Sequence, residues 1–232
     1  MKVNSHKTEN IFKRFCDARW AWNLIQGPVY NHLVFRALSG FYEYFSGEVK
    51  TPENSKILDV GSGPGFLTCM LAEKNPSSEV TGIDYSRTEV SYAWRHRNRT
   101  GVMNCSFFQA DAMNIPFAGS TFNTVVSMAS LKHWPDARRG FEEIRRVLAP
   151  GGKALIAEAD REAGGREVSR FAGKFSAWYA FPPFIKWYLK EIVAGKSYTR
   201  AEAAAFASAA GFDKIKTEKI TGLPFFMLKL YK

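Results

Sequence analysis

Short β-rich runs alternate with longer helical patterns from Lys56 onward, and this alternation constrains the fold of the 232-residue chain more than any other feature. Strands that alternate with helices form parallel βαβ units in a doubly wound sheet. The segments FDKIKTEKI and PFFMLKLY predict two last strands, which must pair antiparallel because only a short turn at Gly222 joins them. The other predicted strands are KILDV, EVTGID, CSFFQA, FNTVVSMA and KALIAEA, and the predicted helices span about 65–74, 87–99, 136–148 and 199–211. The predicted fold class is α/β, with a seven-stranded, mostly parallel sheet and an antiparallel last strand.

Two segments lie outside this alternation. Residues 9–45 carry many apolar and aromatic side chains without strand-like alternation, which predicts helices broken near Gly27-Pro28. We assign residues 1–50 to an N-terminal helical lid and 51–232 to the α/β domain, with a cap insertion at about 161–197. Aromatic residues in the insertion recur at helical spacing. Those cap helices either pack on the core or provide an aromatic-lined pocket or a membrane-contacting surface.

Composition excludes several classes of protein. Hydrophobic residues make up 46% and charged residues 23%, which excludes wholesale disorder. No apolar stretch approaches the ~18 residues of a membrane-spanning helix, and the first ten residues lack the apolar region of a secretory signal. The three cysteines form no CxxC pair, so neither a disulfide framework nor a metal site is expected. We therefore expect a soluble, cytoplasmic protein.

The net charge of +10 lies mostly in the last third, where residues 161–232 hold 13 basic and 6 acidic side chains. Such a surface attracts nucleic acid or anionic lipid, or it keeps the protein soluble. Arginines also cluster on two predicted helices, at positions 87, 95, 97 and 99 and at positions 138, 139, 145 and 146. No RNA-binding module is recognisable, and Glu142 and Glu143 dilute the second cluster. Nucleic acid is therefore the less favoured partner.

The run ILDVGSGPG at 57–65 predicts a strand, a glycine turn and the start of a helix. Glycine permits positive φ and lets a ligand lie directly against the backbone. The dinucleotide fingerprint GxGxxG fails at Phe66, and no GxxxxGK[ST] run occurs. The turn therefore indicates a ligand other than a dinucleotide pyrophosphate or a nucleoside triphosphate.

Four segments in this order resemble those of class I S-adenosylmethionine (SAM)-dependent methyltransferases: LDVGSGPG, GIDYS, QADAMNIPF, and LKHWPD through RRVLAPGGK. The resemblance is closest to the small-molecule group that includes the ubiquinone- and menaquinone-biosynthesis methyltransferases. It covers residues 56–160 well, the last two strands loosely and the N-terminal helices hardly at all. Two departures from the family pattern are PFAGSTFN in place of PFxDxSFD, and Lys132 where a histidine is common.

The resemblance implies SAM as cofactor and S-adenosylhomocysteine as product. Asp59 would attract the ammonium group, Asp84 would accept from both ribose hydroxyls, and Asp111 would accept from the adenine amino group. Taken singly, Asp84 and Asp111 could equally be helix caps. The implied cofactor-binding residues are Asp59, Gly61, Ser62, Gly63, Gly65, Asp84, Tyr85, Asp111, Ala112, Ser127 and Met128.

The implied reaction is methyl transfer to a small, largely apolar or aromatic acceptor, at an oxygen, nitrogen or carbon atom. His133 is the first candidate for a general base and Glu158 the second, although His133 is also placed to fix its loop by a structural hydrogen bond. The predicted substrate pocket comprises Tyr30, His32, Lys132, Trp178 and Tyr179. The alternative functions are an RNA methyltransferase and a catalytically silent SAM-binding protein. Transient contact with a membrane surface fits the aromatic insertion, and the oligomeric state stays open.

Overall fold

The computed structural model describes residues 35–173 and 197–232, and its strands form a single seven-stranded sheet in the order β3-β2-β1-β4-β5-β7-β6. The strands are β1 (Lys56–Val60), β2 (Glu79–Asp84), β3 (Cys105–Gln109), β4 (Phe122–Met128), β5 (Leu148–Ala159), β6 (Lys214–Lys219) and β7 (Phe225–Tyr231). The α-helices are α1 (Phe35–Glu48), α2 (Phe66–Lys74), α3 (Arg87–Thr100), α4 (Ala137–Val147), α5 (Gly165–Gly173) and α6 (Arg200–Ala209), with one 3₁₀ turn at Leu131–His133.

The pairing of the strands confirms the predicted fold class. β1 to β5 pair in parallel, whereas β7 runs antiparallel to both β5 and β6. The chain passes outward from β1 to β2 and β3, and it then returns to the other side of β1 with β4. The strand order therefore reverses between β1 and β4. Ligands of open α/β sheets bind in the crevice at such a reversal, outside the carboxyl ends of the strands.

Helices cover both faces of the sheet. One hydrophobic cluster joins the sheet to α1, α2, α3 and α5, and fully buried members include Phe45 and Leu71. The other cluster joins the opposite face to α4 and α6, with Phe141 and Ile144 fully buried. The central strands therefore have apolar side chains on both faces, as expected for a parallel sheet between helical layers.

Local signals in the sequence set the ends of several helices. Asp136 caps α4, because its carboxylate accepts from Arg139 N at 3.0 Å. Thr199 and Glu202 form a reciprocal capping box at the start of α6. Gly211 follows the last turn of α6 with φ of 85°, the left-handed conformation that glycine commonly adopts at the end of a helix.

Some elements differ from the prediction. β5 begins at Leu148 rather than at Lys153, because Leu148 pairs with Phe122 before a register shift in β4. Gly151 takes φ of 72° in this early part of β5. α1 extends to Glu48, three residues beyond the predicted helical segment. Most of the predicted lid and the insertion from 174 to 196 lie outside the described residues. Within the described ranges, no helix combines the length and the apolar character needed to cross a bilayer.

Two glycines inside helices give a matched pair of stability predictions. A Cβ at Gly140 in α4 would lie 2.4 Å from Trp134 Cε3, whereas a Cβ at Gly40 in α1 meets no atom of the described chain within 4 Å. We expect Gly140→Ala to lower the free energy of unfolding by ~1–3 kcal/mol through overpacking. Gly40→Ala should raise it by ~0.5–1 kcal/mol, since alanine loses less backbone entropy in a helix. Urea unfolding of both variants checks this, and equal shifts of the same sign would contradict it.

Candidate functional site

The turn after β1 folds back onto the end of β2. Gly61, Gly63 and Gly65 have φ of 76°, 51° and 81°, which confirms the positive φ expected of this glycine turn. Gly61 N and Ser62 N donate to the Ile83 carbonyl at 2.8 and 2.9 Å. These bonds fix the first half of the turn against the neighbouring strand.

Close packing leaves no room for a side chain at two of these glycine positions. A Cβ on Gly61 would lie 1.9 Å from Ser130 Oγ, and one on Gly65 would lie 2.7 Å from Phe107 Cζ. At Gly63, by contrast, a Cβ would meet nothing within 4 Å in the part of the chain that the structure describes. The middle of the turn is therefore open on the side where a ligand can approach the backbone.

Asp84 at the end of β2 connects the turn to the start of α3. Its Oδ2 accepts from Gly63 N at 2.9 Å, and its Oδ1 accepts from Ser86 N at 2.8 Å. Desolvation raises the pKa of this carboxyl group, and the two backbone donors oppose that rise. The sequence predicted ribose hydroxyls as its partners but not these backbone bonds. Each carboxylate oxygen has two lone pairs, so each can still accept a second hydrogen bond.

Asp59 in β1 is buried beneath the turn, with 1% of its surface exposed. Its Oδ2 accepts from Thr68 Oγ1 of α2 at 2.7 Å. Desolvation raises the pKa of Asp59 to about 7, the Thr68 bond lowers it and the nearby Asp84 charge raises it. Two carboxyl groups thus share a buried region, where a ligand cation would stabilise their ionised forms.

Asp111 follows β3 at the same edge of the sheet. Its Oδ1 accepts from Met113 N at 2.9 Å, and its carbonyl accepts from Asn114 N at 3.0 Å. These bonds define a tight turn, so part of the side chain does act as a local cap. Tyr85, predicted to pack on an adenine face, is 52% exposed beside this edge.

The end of β4 forms the other side of the crevice. Ser127 is fully buried and donates from Oγ to the Val60 carbonyl at 2.8 Å, which ties β4 to the strand that carries the glycine turn. Met128 is 8% exposed, and Ala129 follows it with φ of 57°. Ser130 then accepts from Trp134 Nε1 at 3.0 Å. Backbone groups of this segment, rather than reactive side chains, line the crevice here.

Glu158 is placed unlike the general base that the sequence predicted. The carboxylate is fully buried at the end of β5, and it accepts from Lys132 Nζ at 3.0 Å, Lys132 N at 3.1 Å and Ala159 N at 2.8 Å. Lys132 Nζ also donates to the Ala129 carbonyl at 2.7 Å. Protein donors therefore occupy both oxygens of the carboxylate. This arrangement favours a structural ion pair over the predicted roles of Glu158 as a base and of Lys132 as a pocket residue.

His133 closes the 3₁₀ turn beside Lys132 and is exposed at its surface. Desolvation by the surrounding protein, and secondly the Lys132 charge, lower the pKa of its imidazole. The ring is therefore neutral at pH 7. The remaining predicted pocket residues, Tyr30, His32, Trp178 and Tyr179, lie outside the described residues.

Three comparisons with known proteins bear on this site. Residues 57–152 match the family model of a methyltransferase domain. A demethylmenaquinone methyltransferase of Thermus thermophilus is 34% identical over 103 residues, which cover 44% of this chain and 46% of that protein. A 2-methyl-6-phytyl-1,4-hydroquinone methyltransferase of Oryza sativa is 31% identical over 140 residues, or 58% of this chain and 38% of that protein. The similarity to a methyltransferase domain thus includes the glycine turn, Asp84 and Asp111.

The structural comparison covers the chain more fully. A putative SAM-dependent methyltransferase of Methanococcus maripaludis has a TM-score of 0.67 at 20% identity, with 100% of this chain and 97% of that chain covered. At this identity the likeness shows the fold alone. The aligned regions of the two curated methyltransferases span less than half of their lengths. The comparisons thus confirm the predicted fold, and over residues 57–152 they agree with the resemblance read from the sequence.

The residues of this site fit SAM, the cofactor that the resemblance implies. The open face of Gly63 admits a ligand against the backbone. Ser62 Oγ is buried in the same turn without a hydrogen-bond partner in the described chain, so a polar ligand group would satisfy it. Asp59, Asp84 and Asp111 supply carboxylates at one edge of the sheet, which suits a ligand carrying a sulfonium and an ammonium. Sequence reasoning missed Thr68 and Ser130, because their roles depend on contacts between separate elements.

Asp84→Ala tests the ribose contact. We expect the dissociation constant for SAM to rise at least about tenfold, the loss expected for charge-assisted hydrogen bonds. Isothermal titration calorimetry measures it, with Asp213→Ala as the control because that aspartate is exposed at the start of β6. An unchanged dissociation constant in Asp84→Ala would show that the cofactor lies elsewhere.

Asp59 predicts a pH dependence of cofactor binding. Because its pKa is raised to about 7, the carboxyl group is protonated below that pH and must ionise to attract a ligand ammonium. Affinity for SAM should therefore fall as the pH decreases from 7.5 to about 5.5, by up to about tenfold per pH unit. The near-isosteric Asp59→Asn should bind more weakly at pH 7.5 and lose this dependence. The same slope in both proteins, measured by calorimetry, would contradict the assignment.

Proposed function

We propose that this chain transfers the methyl group of SAM to a small, apolar or aromatic acceptor of the quinone or hydroquinone type. The observation that carries the proposal is the meeting of the glycine turn and two strand-end carboxylates, Asp84 and Asp111, beside the β1/β4 reversal. One hydrogen bond, from Gly63 N to Asp84 Oδ2, joins two of these features directly. The two relatives that act on a hydroquinone and on demethylmenaquinone support the acceptor class.

When bound, SAM supplies a methyl group activated by its sulfonium. The transfer is an in-line displacement, so the protein's task is to align the acceptor with the methyl group and to exclude water. In the proposed arrangement, Asp59 and Asp84 hold the charged and hydroxylated parts of the cofactor. The backbone at the end of β4 and just beyond it, from Ser127 to Ser130, borders the reacting methyl group.

A phenolic or hydroquinone acceptor has to lose a proton, and His133 is the residue proposed to receive it. The lowered pKa of His133 keeps the imidazole unprotonated at pH 7. Glu158 is not part of this proposal, because Lys132 and Ala159 already occupy its oxygens.

Arginines of α4 that would have to bind RNA in the RNA methyltransferase alternative are paired with glutamates of the same helix. Arg138 pairs with Glu142 at 3.0 Å, and Arg146 pairs with Glu143 at 2.8 Å, so their charges are partly compensated within the helix. An apolar quinone-type acceptor partitions into lipid, and the proposal therefore includes transient contact of a cytoplasmic protein with a membrane surface.

Methyl-label transfer tests the proposed function. Purified protein, methyl-labelled SAM and a cell extract are incubated, and label is measured in the organic, RNA and protein fractions. We expect label in the organic fraction, migrating with quinones, and greater transfer when a demethylated quinone is presented in its reduced form in vesicles. Asp84→Ala serves as the control that cannot hold the cofactor. Label in RNA, lost at high salt, would favour the RNA alternative. Tight SAM binding with no label in any fraction would favour the silent alternative.

The same assay with a defined hydroquinone tests His133. We expect His133→Asn to lower kcat about 10²-fold, the usual contribution of a general base, with an unchanged dissociation constant for SAM. Because the pKa of His133 is lowered, wild-type kcat should stay level as the pH decreases from 8 to 6. An unchanged kcat in His133→Asn would mean that no proton is accepted there.

A further inference from the structure

The segment from Asp111 to Phe117 is held in place by two residues of α4. Glu143 Oε2 accepts from Ile115 N at 2.9 Å. Arg146 donates from Nη2 to the Ile115 carbonyl and from Nη1 to the Phe117 carbonyl, both at 2.8 Å. Two side chains thus satisfy three backbone groups of one irregular segment, which has no strand neighbour to do so.

Glu143 and Arg146 also bind each other with two hydrogen bonds. Arg146 Nε donates to Oε1 at 2.9 Å and Arg146 Nη2 donates to Oε2 at 2.8 Å. The Glu143 side chain is 3% exposed, whereas that of Arg146 is 40% exposed. The Arg146 bonds chiefly hold the pKa of Glu143 below its usual range. The pair, called the α4 clamp below, is therefore charged at neutral pH and fixed in direction by its two parallel bonds.

A second set of contacts connects the α4 clamp to Asp111. Arg139 donates from Nη2 to Glu143 Oε1 at 3.1 Å and from Nε to the Met113 carbonyl at 3.3 Å. Met113 N in turn donates to Asp111 Oδ1 at 2.9 Å, which sets the rotation of the Asp111 carboxyl group. A continuous path of hydrogen bonds thus runs from Glu143 through Arg139 and Met113 to Asp111.

We propose that the α4 clamp of Glu143 and Arg146 is a positioning device that holds the Asp111 segment ready to recognise the adenine base of the cofactor. The inference rests on the proposed function and deepens it, because it assigns base selectivity to residues that touch no substrate. Binding of adenine through Asp111 and Ala112 requires an acceptor and a donor at fixed separation. An irregular segment keeps such a geometry only where neighbouring groups hold it.

The same helix provides matched controls. Arg138 and Glu142 form an ion pair on α4 at 3.0 Å, with side chains that are 62% and 34% exposed. No hydrogen bond from either residue to the Asp111–Phe117 segment is found in the described chain. Glu142 also accepts from Arg139 Nη1 at 3.5 Å, so the controls are placed at Arg138. Arg138→Lys and Arg138→Gln change an arginine of the same helix without altering the α4 clamp or its path to Asp111.

The test measures selectivity for the base rather than affinity alone. Dissociation constants are determined by calorimetry for S-adenosylhomocysteine and for its analogue with hydrogen in place of the 6-amino group. We expect the wild type to prefer the adenine compound about tenfold, the value of one hydrogen bond to a charged acceptor. In Glu143→Gln and in Arg146→Lys this ratio should fall below about threefold, and both controls should retain the wild-type ratio.

Arg146 is partly exposed, so Arg146→Lys should fold even if Glu143→Gln does not. The selectivity ratio can then still be measured in Arg146→Lys. A merely structural clamp would weaken the binding of both compounds equally and leave their ratio unchanged, and that result in a folded variant would overturn the inference. Combining Glu143→Gln with Asp111→Asn should lower the ratio no further than Asp111→Asn alone. Binding of neither compound by the wild type would contradict the proposed function itself, and the inference with it.

Discussion

The hydrogen bond from Gly63 N to Asp84 Oδ2 is the contact on which the proposed site depends. It joins the middle of the glycine turn to the end of the adjacent strand. The Asp84 carboxylate also accepts from Ser86 N, which connects it to the start of α3. The turn after β1, the end of β2 and the start of α3 are therefore fixed relative to one another. Any ligand that lies along Gly63 is brought directly to the Asp84 carboxylate.

Four carboxylates of the described chain divide into two groups by their partners. Glu158 and Glu143 are paired with Lys132 and Arg146, so their charges are already balanced by the protein. Asp59 and Asp84 have neutral donors in the described chain, Thr68 and backbone N–H groups, and desolvation raises the pKa of both. Only the second group gains from a cationic ligand. The first group therefore stabilises the protein around the crevice, whereas the second group is available to bind a ligand in it.

Much of the fold was predictable because its signals are local. The alternation of strands and helices depends on neighbouring residues, and the structure agrees with it. The early start of β5 was not predictable, since it depends on pairing of Leu148 with Phe122 across a register shift. The four family segments placed Asp59, Asp84 and Asp111 at one edge of the sheet, but their structural partners depend on tertiary contacts. The ion pair between Glu158 and Lys132 also depends on a tertiary contact, so the sequence alone predicted a base at Glu158.

A crystal structure of the complex with S-adenosylhomocysteine tests the central claim most directly. The account predicts density in the crevice between β1 and β4, with both ribose hydroxyls within hydrogen-bond distance of Asp84 and the 6-amino group beside Asp111. The Gly63–Asp84 bond should persist in the complex, since each carboxylate oxygen can accept twice. Density for the ligand elsewhere, or a ribose turned away from Asp84, would contradict the account.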